Sequence, residues 1–148
     1  MFGKTTEYAV RALVYTYLQN SAGIRPGFKE IANHISAPKE FTGKVVQSLV
    51  KSHFLLSVKG PGGGFYFEDM ESPISLVEVV KVFEGDKLFY KCGFGLKECS
   101  DINPCPLHND YSPVREKLRK IVSDTTIQIL ASRIKNNKAV LNARLMNI

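Results

Sequence analysis

Apolar residues recur at three- and four-residue steps in five stretches of this chain, and the intervals between them follow other rules. Ala9, Val10, Leu13, Val14, Tyr17 and Leu18 share one face of a first helix. Thr5 or Thr6 is its expected N-cap, with Glu7 favourable in the first turn. Residues 20–27, with Gly23, Pro26 and Gly27, read as a loop. Phe28, Ile31, Ala32 and Ile35 then mark a short helix that Ser36, Ala37 and Pro38 end. Pro38 cannot extend that helix but suits the first turn of the next, where its missing N–H would have no partner. In that next helix Phe41, Val45 and Leu49 form the apolar stripe, widened by Val46 and Val50. The two together read as a tight helix-turn-helix.

Residues 55–59 and 65–67 are β-prone runs separated by Gly60, Pro61, Gly62, Gly63 and Gly64, a glycine run that permits positive φ and a sharp reversal. This is the pattern of a wing. Glycine-rich loops also cradle nucleotide phosphates, but this one joins two strands, and GPGGG lacks both the GxGxxG and the P-loop spacing. Beyond Ser72, Pro73 and Ser75, the residues Leu76, Val79, Val80 and Phe83 predict a fourth helix that Gly85 stops. Residues 85–110 have no period. From Ser112 as cap and Pro113 at the first position, Val114, Leu118, Ile121, Val122, Thr125 and Ile129 form one stripe, and Ile127, Leu130 and Ile134 a second. A helix of about 22 residues would run roughly 33 Å. Two apolar rows on one helix predict pairing with a second copy, the plainer alternative being a long core helix. Residues 135–148 are basic, Asn-rich and weakly patterned, free to fray or to cross to a partner. The expected fold is mainly α with a small β-hairpin: a winged helix-turn-helix domain over 1–84, a cysteine-bearing sensor loop over 85–110, and a long dimerisation helix with its tail over 111–148.

With 148 residues, 44% of them hydrophobic, the chain can bury a real core. No run of about 18 apolar residues would span a membrane. Glu7 and Arg11 interrupt what would be the apolar part of a secretory signal, so a cytoplasmic location is expected. The net charge of +6 is unevenly spread. Residues 1–70 hold eight Lys/Arg against five Asp/Glu, residues 71–110 four against seven, and residues 111–148 eight against two. A basic excess favours polyanions, and counterion release makes such binding steeply salt-dependent. The polar face of the third helix carries Lys39, Glu40, Thr42, Lys44, Gln47, Ser48 and Lys51. These side chains can reach base edges or phosphates in a major groove, though a polar face also simply meets water. The wing adds Lys59, Gly60, Gly62 and Gly63 to the candidate DNA contacts. His34 and His53 fall to packing or surface roles.

All three cysteines lie in the irregular stretch. Six residues separate Cys92 from Cys99, five separate Cys99 from Cys105, and His108 follows three positions later. An odd number in a reducing compartment argues against a disulfide framework. Thiolates are the usual ligands of iron-sulfur clusters, and a loop rich in glycine and proline can fold round one. Zinc, thiol redox sensing and plain burial are the alternatives, and no CxxC pair favours zinc. A cysteine-dependent enzyme using Cys105 and His108 would need an orienting third group and a pocket, neither visible in the sequence. The chain is therefore read as a non-enzyme.

The segments EYAVRALVYTYL at residues 7–18, PKEFTGKVVQSLVKS at 38–52 and above all SVKGPGGGFYF at 57–67 resemble the IscR/NsrR/CymR-type bacterial winged helix-turn-helix regulators. The resemblance spans most of the chain. Lys59 stands where that family commonly has arginine, keeping the charge but losing the planar fork. His53 stands where a glycine usually ends the recognition helix. The resemblance implies a homodimeric transcriptional regulator on a double-stranded DNA operator, with Cys92, Cys99 and Cys105 as ligands of an iron-sulfur cluster. It implies redox state, nitric oxide or cluster supply as the signal. Two fourth ligands stay open: His108, which follows Cys105 in CPLH as in the cluster-assembly regulators, and Glu7, at the position where nitric-oxide-sensing relatives offer an acidic ligand from the partner subunit. With them the choice between 2Fe-2S and 4Fe-4S stays open too. A winged-helix module that binds no DNA is the remaining alternative.

Overall fold

The structure, a computed structural model, describes residues 2–142. Helix α1 (Lys4–Ser21) is its hub. One apolar face was expected, but Thr6, Ala9, Ala12, Leu13, Val14, Tyr15 and Thr16 are all buried. Elements α2 (Phe28–Ile35), α3 (Lys39–Lys51), α4 (Leu76–Glu84) and α7 (Ile127–Lys135) pack round it, so more than one side of α1 is covered. Ala9 and Ala12, with no exposed surface, let those neighbours approach closely. The helix also starts earlier than expected. Gly3, not Thr5 or Thr6, precedes it, and the Thr6 hydroxyl lies buried among the apolar neighbours with no hydrogen-bond partner.

Helices α2 and α3 form the helix-turn-helix. Ser36 ends α2 in the left-handed conformation, φ 54°, and the Ala37 N–H closes the turn on the Ala32 carbonyl at 2.9 Å. Pro38 takes the N-cap place of α3, one residue before the first-turn position expected for it. The buried stripe of α3 is Thr42, Val45, Val46 and Leu49, steps of three, one and three residues along one face. Phe41 is displaced to the edge, 36% exposed, its ring edge-on to Tyr8 with centroids 5.6 Å apart. Phe28 is likewise 36% exposed and lies over Gly43. Strands β1 (Leu56–Val58) and β2 (Gly64–Tyr66) pair antiparallel, with Leu56 opposite Tyr66 and Val58 opposite Gly64.

A capping box of Ser75 and Glu78 opens α4, and Gly85, at φ 72°, closes it. A short helix α5 (Lys87–Tyr90) follows, anchored by buried Phe89, inside the stretch expected to be irregular. Helix α6 (His108–Asp124) starts four residues before the expected cap at Ser112 and carries Pro113 inside it. The single helix of about 22 residues is not formed. Thr125 is extended, and Thr126 caps α7 by accepting the Ile129 N–H at 3.1 Å. The cause is a local pairing with the segment before α4: the Leu76 N–H donates to the Thr125 carbonyl at 2.9 Å, and the Ile127 N–H to the Ile74 carbonyl at 2.8 Å. Helix α7 then folds back on α1, burying Ile127 and Ala131. One of the two apolar rows is thus covered by the chain itself. The other leaves Val114 at 65% and Ile121 at 52% exposed on α6. The expectations for residues 143–148 lie outside the described residues. Among the described residues no helix is long and apolar enough to cross a membrane.

Candidate functional site

Two sets of residues answer to the sequence reading. The first is the outer face of α3 with the wing. Lys39, Glu40, Lys44, Gln47 and Lys51 are exposed on one helix. Ser48 is half-buried and its hydroxyl donates back to the Lys44 carbonyl at 3.1 Å. Thr42 does not belong with them. It is fully buried, and its hydroxyl donates to the Pro38 carbonyl at 2.8 Å, so it fixes the start of α3 and cannot meet a groove. Gln47, Lys51, Lys59, Gly60 and Gly63 line one open groove between α3 and the wing, floored by Phe28, Val50, Val58 and Phe65.

The wing keeps its shape through glycine. The Gly63 N–H donates to the Gly60 carbonyl at 2.9 Å, and a Cβ on Gly63 would lie 2.2 Å from the Val58 carbonyl oxygen. Gly64 has the same constraint against Arg25, whose carbonyl oxygen would be 2.2 Å from a Cβ there. Asn20 at the end of α1 ties the wing to the core: its Nδ2 donates to the Ile24 and Phe65 carbonyls and its Oδ1 accepts the Phe67 N–H. Arg25 stacks on the Tyr66 ring at 4.3 Å and adds an exposed cation beside the wing. Sequence reasoning missed both residues, because neither sits in a periodic segment.

The second set surrounds the cysteines. The sulfurs of Cys92 and Cys105 are 3.6 Å apart, and the Cys99 sulfur is 3.3 Å from His108 Nδ1. His108 is the first residue of α6 and is buried, and its Nε2 lies 2.7 Å from Asp101 Oδ1. With the proton on Nε2 and donated to Asp101, Nδ1 presents its lone pair towards Cys99. Cys92 is buried. Backbone N–H groups, led by that of Leu96 and joined by those of Phe94 and Gly95, hold its thiol below the ordinary range, against the opposing effect of burial.

The cysteines and His108 therefore form two pairs. Among the described residues no three Cys, His, Asp or Glu side chains converge on a single ion position. Two thiolates on one tetrahedral ion, each about 2.3 Å from it, lie roughly 3.7 Å apart, so the Cys92–Cys105 separation suits one ion. Glu7 was expected only as a ligand from the partner subunit. It lies on α1, its carboxylate 3.1 Å from Lys4 Nζ. His108 sits with Cys99 rather than Cys105, so the Cys105–His108 nucleophile and base considered above do not meet.

Arg115 belongs with this set. It lies two turns beyond His108 on α6, on the same face, and is 9% exposed. Its Nη1 donates to the carbonyls of Lys91 at 3.2 Å and Tyr90 at 3.4 Å, the residues that lead into Cys92. The Cys99 side chain favours its charged form and raises its pKa further above the ordinary guanidinium value. The seven-residue step from His108 was the one signal in the sequence that could have found it.

The Rrf2 family model, described as an iron-dependent transcriptional regulator, matches residues 2–133. The chain is similar to a protein of Aquifex aeolicus provisionally described as an HTH-type transcriptional regulator, 31% identical over 133 residues, 88% of this chain and 90% of that one. It is 27% identical over 139 residues to the regulator NsrR of Oceanobacillus iheyensis, covering 93% of this chain and 92% of the relative. Among solved structures, CymR, the global cysteine regulator of B. subtilis, superposes with a TM-score of 0.71 at 16% identity, over 89% of this chain and 96% of that one. T. potens IscR superposes with a TM-score of 0.70, also at 16% identity, over 95% of this chain and 92% of that one. Both share the fold.

Proposed function

Because the chain belongs to the Rrf2 family of iron-dependent transcriptional regulators and is not an enzyme, we propose that it is a cytoplasmic homodimer that binds a double-stranded DNA operator and holds an iron-sulfur cluster on its cysteine loop. The observation that carries the cluster is the pairing of Cys92 with Cys105 and of Cys99 with His108. A two-iron cluster needs two terminal ligands on each iron, so this pairing favours 2Fe-2S with His108 as the fourth ligand. The Asp101 carboxylate on Nε2 supports that role, since a ligating histidine usually donates its other ring N–H to such a group. When bound, the cluster supplies a redox-active centre open to nitric oxide.

The residues of this chain do the rest. Lys39, Glu40, Lys44, Gln47, Ser48 and Lys51 present α3 to the major groove, while Lys59, the glycine turn and Arg25 meet the backbone beside it. The exposed Val114 and Ile121 of α6, with half-buried Leu118 between them, pair with the same stripe on a second copy. Arg115 and His108 lie on that same helix, so a change in how the cysteines are held moves α6. The spacing of two recognition helices follows, and with it the fit to half-sites about a turn apart.

Protein purified without oxygen, with its visible spectrum, iron and acid-labile sulfide measured on one sample, tests the cluster. Bound iron and sulfide, with the spectrum lost in Cys99→Ala, is the expected result. A colourless protein that binds DNA as a dimer after anaerobic reconstitution would leave the cysteines to zinc or thiol chemistry.

A further inference from the structure

A guanidinium nine-tenths removed from water is costly unless opposite charge stands beside it. Arg115 has the carbonyls of Tyr90 and Lys91, which are neutral, and its Nε has no hydrogen-bond partner. The Tyr111 ring lies 6.0 Å away and supplies at most a weak cation–π contact. The nearest acidic residue along its own helix, Glu116, forms its ion pair with Arg119 at 2.6 Å. Of the groups whose charge favours the guanidinium, the Cys99 side chain acts most strongly, ahead of Glu116 and Tyr111. Arg115 therefore bears on both arms of the cysteine loop: it hydrogen-bonds the backbone leading into Cys92, and its charge is favoured by the Cys99 side chain.

Resting on the cluster reading above, we propose that Arg115 is the positioning and charge-balancing residue of the cysteine pocket. It ties the Cys92 arm to the Cys99 arm from α6. Its permanent positive charge commits the pocket to an occupant that leaves net negative charge on the sulfur ligands. Arginine suits both tasks where lysine suits one, since a planar fork can donate in several directions at once and an ammonium acts as a point charge. A positive charge beside a cluster also favours its reduced, more negative form, because net charge and hydrogen bonds to sulfur set its potential.

The test compares the full chain with its Arg115→Met and Arg115→Lys variants, each metal-free and after anaerobic loading with iron and sulfide. In the metal-free proteins, hydrogen exchange over residues 87–99 is expected to be on the order of tenfold faster in both variants, with exchange in α1 unchanged. In the loaded proteins, Arg115→Met is expected to shift the midpoint potential to more negative values, and Arg115→Lys to restore it. Wild-type exchange in both variants overturns the tie between the arms, and a wild-type potential in Arg115→Met overturns the charge role. If Arg115→Met does not fold, Arg115→Lys decides the tie, and Arg115→Gln replaces it for the potential. A wild-type chain that takes up neither iron nor sulfide overturns the cluster reading and the charge role with it, while exchange still decides the tie.

Discussion

Asn20 accepts the backbone N–H of Phe67 on its Oδ1 at 2.9 Å, and through that bond the last turn of α1 holds the strand leaving the wing. The same amide donates to the carbonyls of Ile24 and Phe65 at 2.9 and 3.2 Å. One side chain therefore closes the loop before α2 and fixes the angle of the wing. Asn20→Ala should cost about 1–3 kcal/mol, two half-buried bonds and one exposed bond at roughly 1 kcal/mol each less what water recovers. Asn20→Asp keeps the acceptor but sets a carboxylate against two carbonyls, and should cost at least as much. Urea denaturation measures the cost. DNA titration should show affinity falling by more than the stability loss accounts for, because the wing loses its angle.

His53 closes α3 in the left-handed conformation at φ 64°. The Phe54 N–H reaches the Leu49 carbonyl at 2.9 Å and the His53 N–H the Val50 carbonyl at 3.1 Å, the two bonds of a Schellman end. A residue with a Cβ is strained there by about 1 kcal/mol. His53→Gly should therefore stabilise the chain by up to about 1 kcal/mol, raising Tm by roughly 2–4 °C. A lower Tm would mean that the histidine makes a compensating contact.

The helix-turn-helix, the hairpin and the stop at Gly85 were legible because each rests on local chemistry: period, glycine and proline. The edges of the α3 stripe were not, since Phe41 and Thr42 are neighbours: Thr42 turns inwards, and Phe41 stays at the edge against Tyr8. The break at Thr125 was invisible for a similar reason. Its cause is the Ile74–Leu76 backbone some fifty residues earlier in the chain, and the apolar steps run through the break uninterrupted. In the cysteine loop the candidate residues, three cysteines and a histidine, were readable by type. Their sorting into two pairs, with Asp101 and Arg115 behind them, depends on where α6 begins.

The DNA face separates two kinds of contact. Lys44 and Gln47 are exposed on α3 and oppose the major groove in the proposed complex, whereas Lys59 lies on the wing. Lys59→Ala should weaken binding to all sequences alike, and the plot of log affinity against log salt should lose about 0.9 in slope for the one phosphate given up. Gln47→Ala should leave that slope unchanged and reduce discrimination at one base pair, by about 1–3 kcal/mol for a bidentate contact. Fluorescence anisotropy across a salt series, on an operator and on unrelated DNA, distinguishes them. An unchanged slope for Lys59→Ala would remove the wing from the backbone contacts.

Glu7 and His108 make opposite predictions for the fourth ligand. His108 Nδ1 faces Cys99 at 3.3 Å with Asp101 behind its other nitrogen, while Glu7 is engaged by Lys4 on α1. With His108 as ligand, His108→Ala should lower iron and sulfide retention and alter the visible spectrum. Asp101→Asn should do the same to a smaller degree, a loss on the order of 10–100-fold in affinity. Glu7→Gln should change neither. If Glu7→Gln instead bleaches the protein and His108→Ala does not, the fourth ligand crosses from the partner subunit. Cluster binding would then depend on protein concentration through the dimer, a dependence that dilution at fixed iron and sulfide would expose.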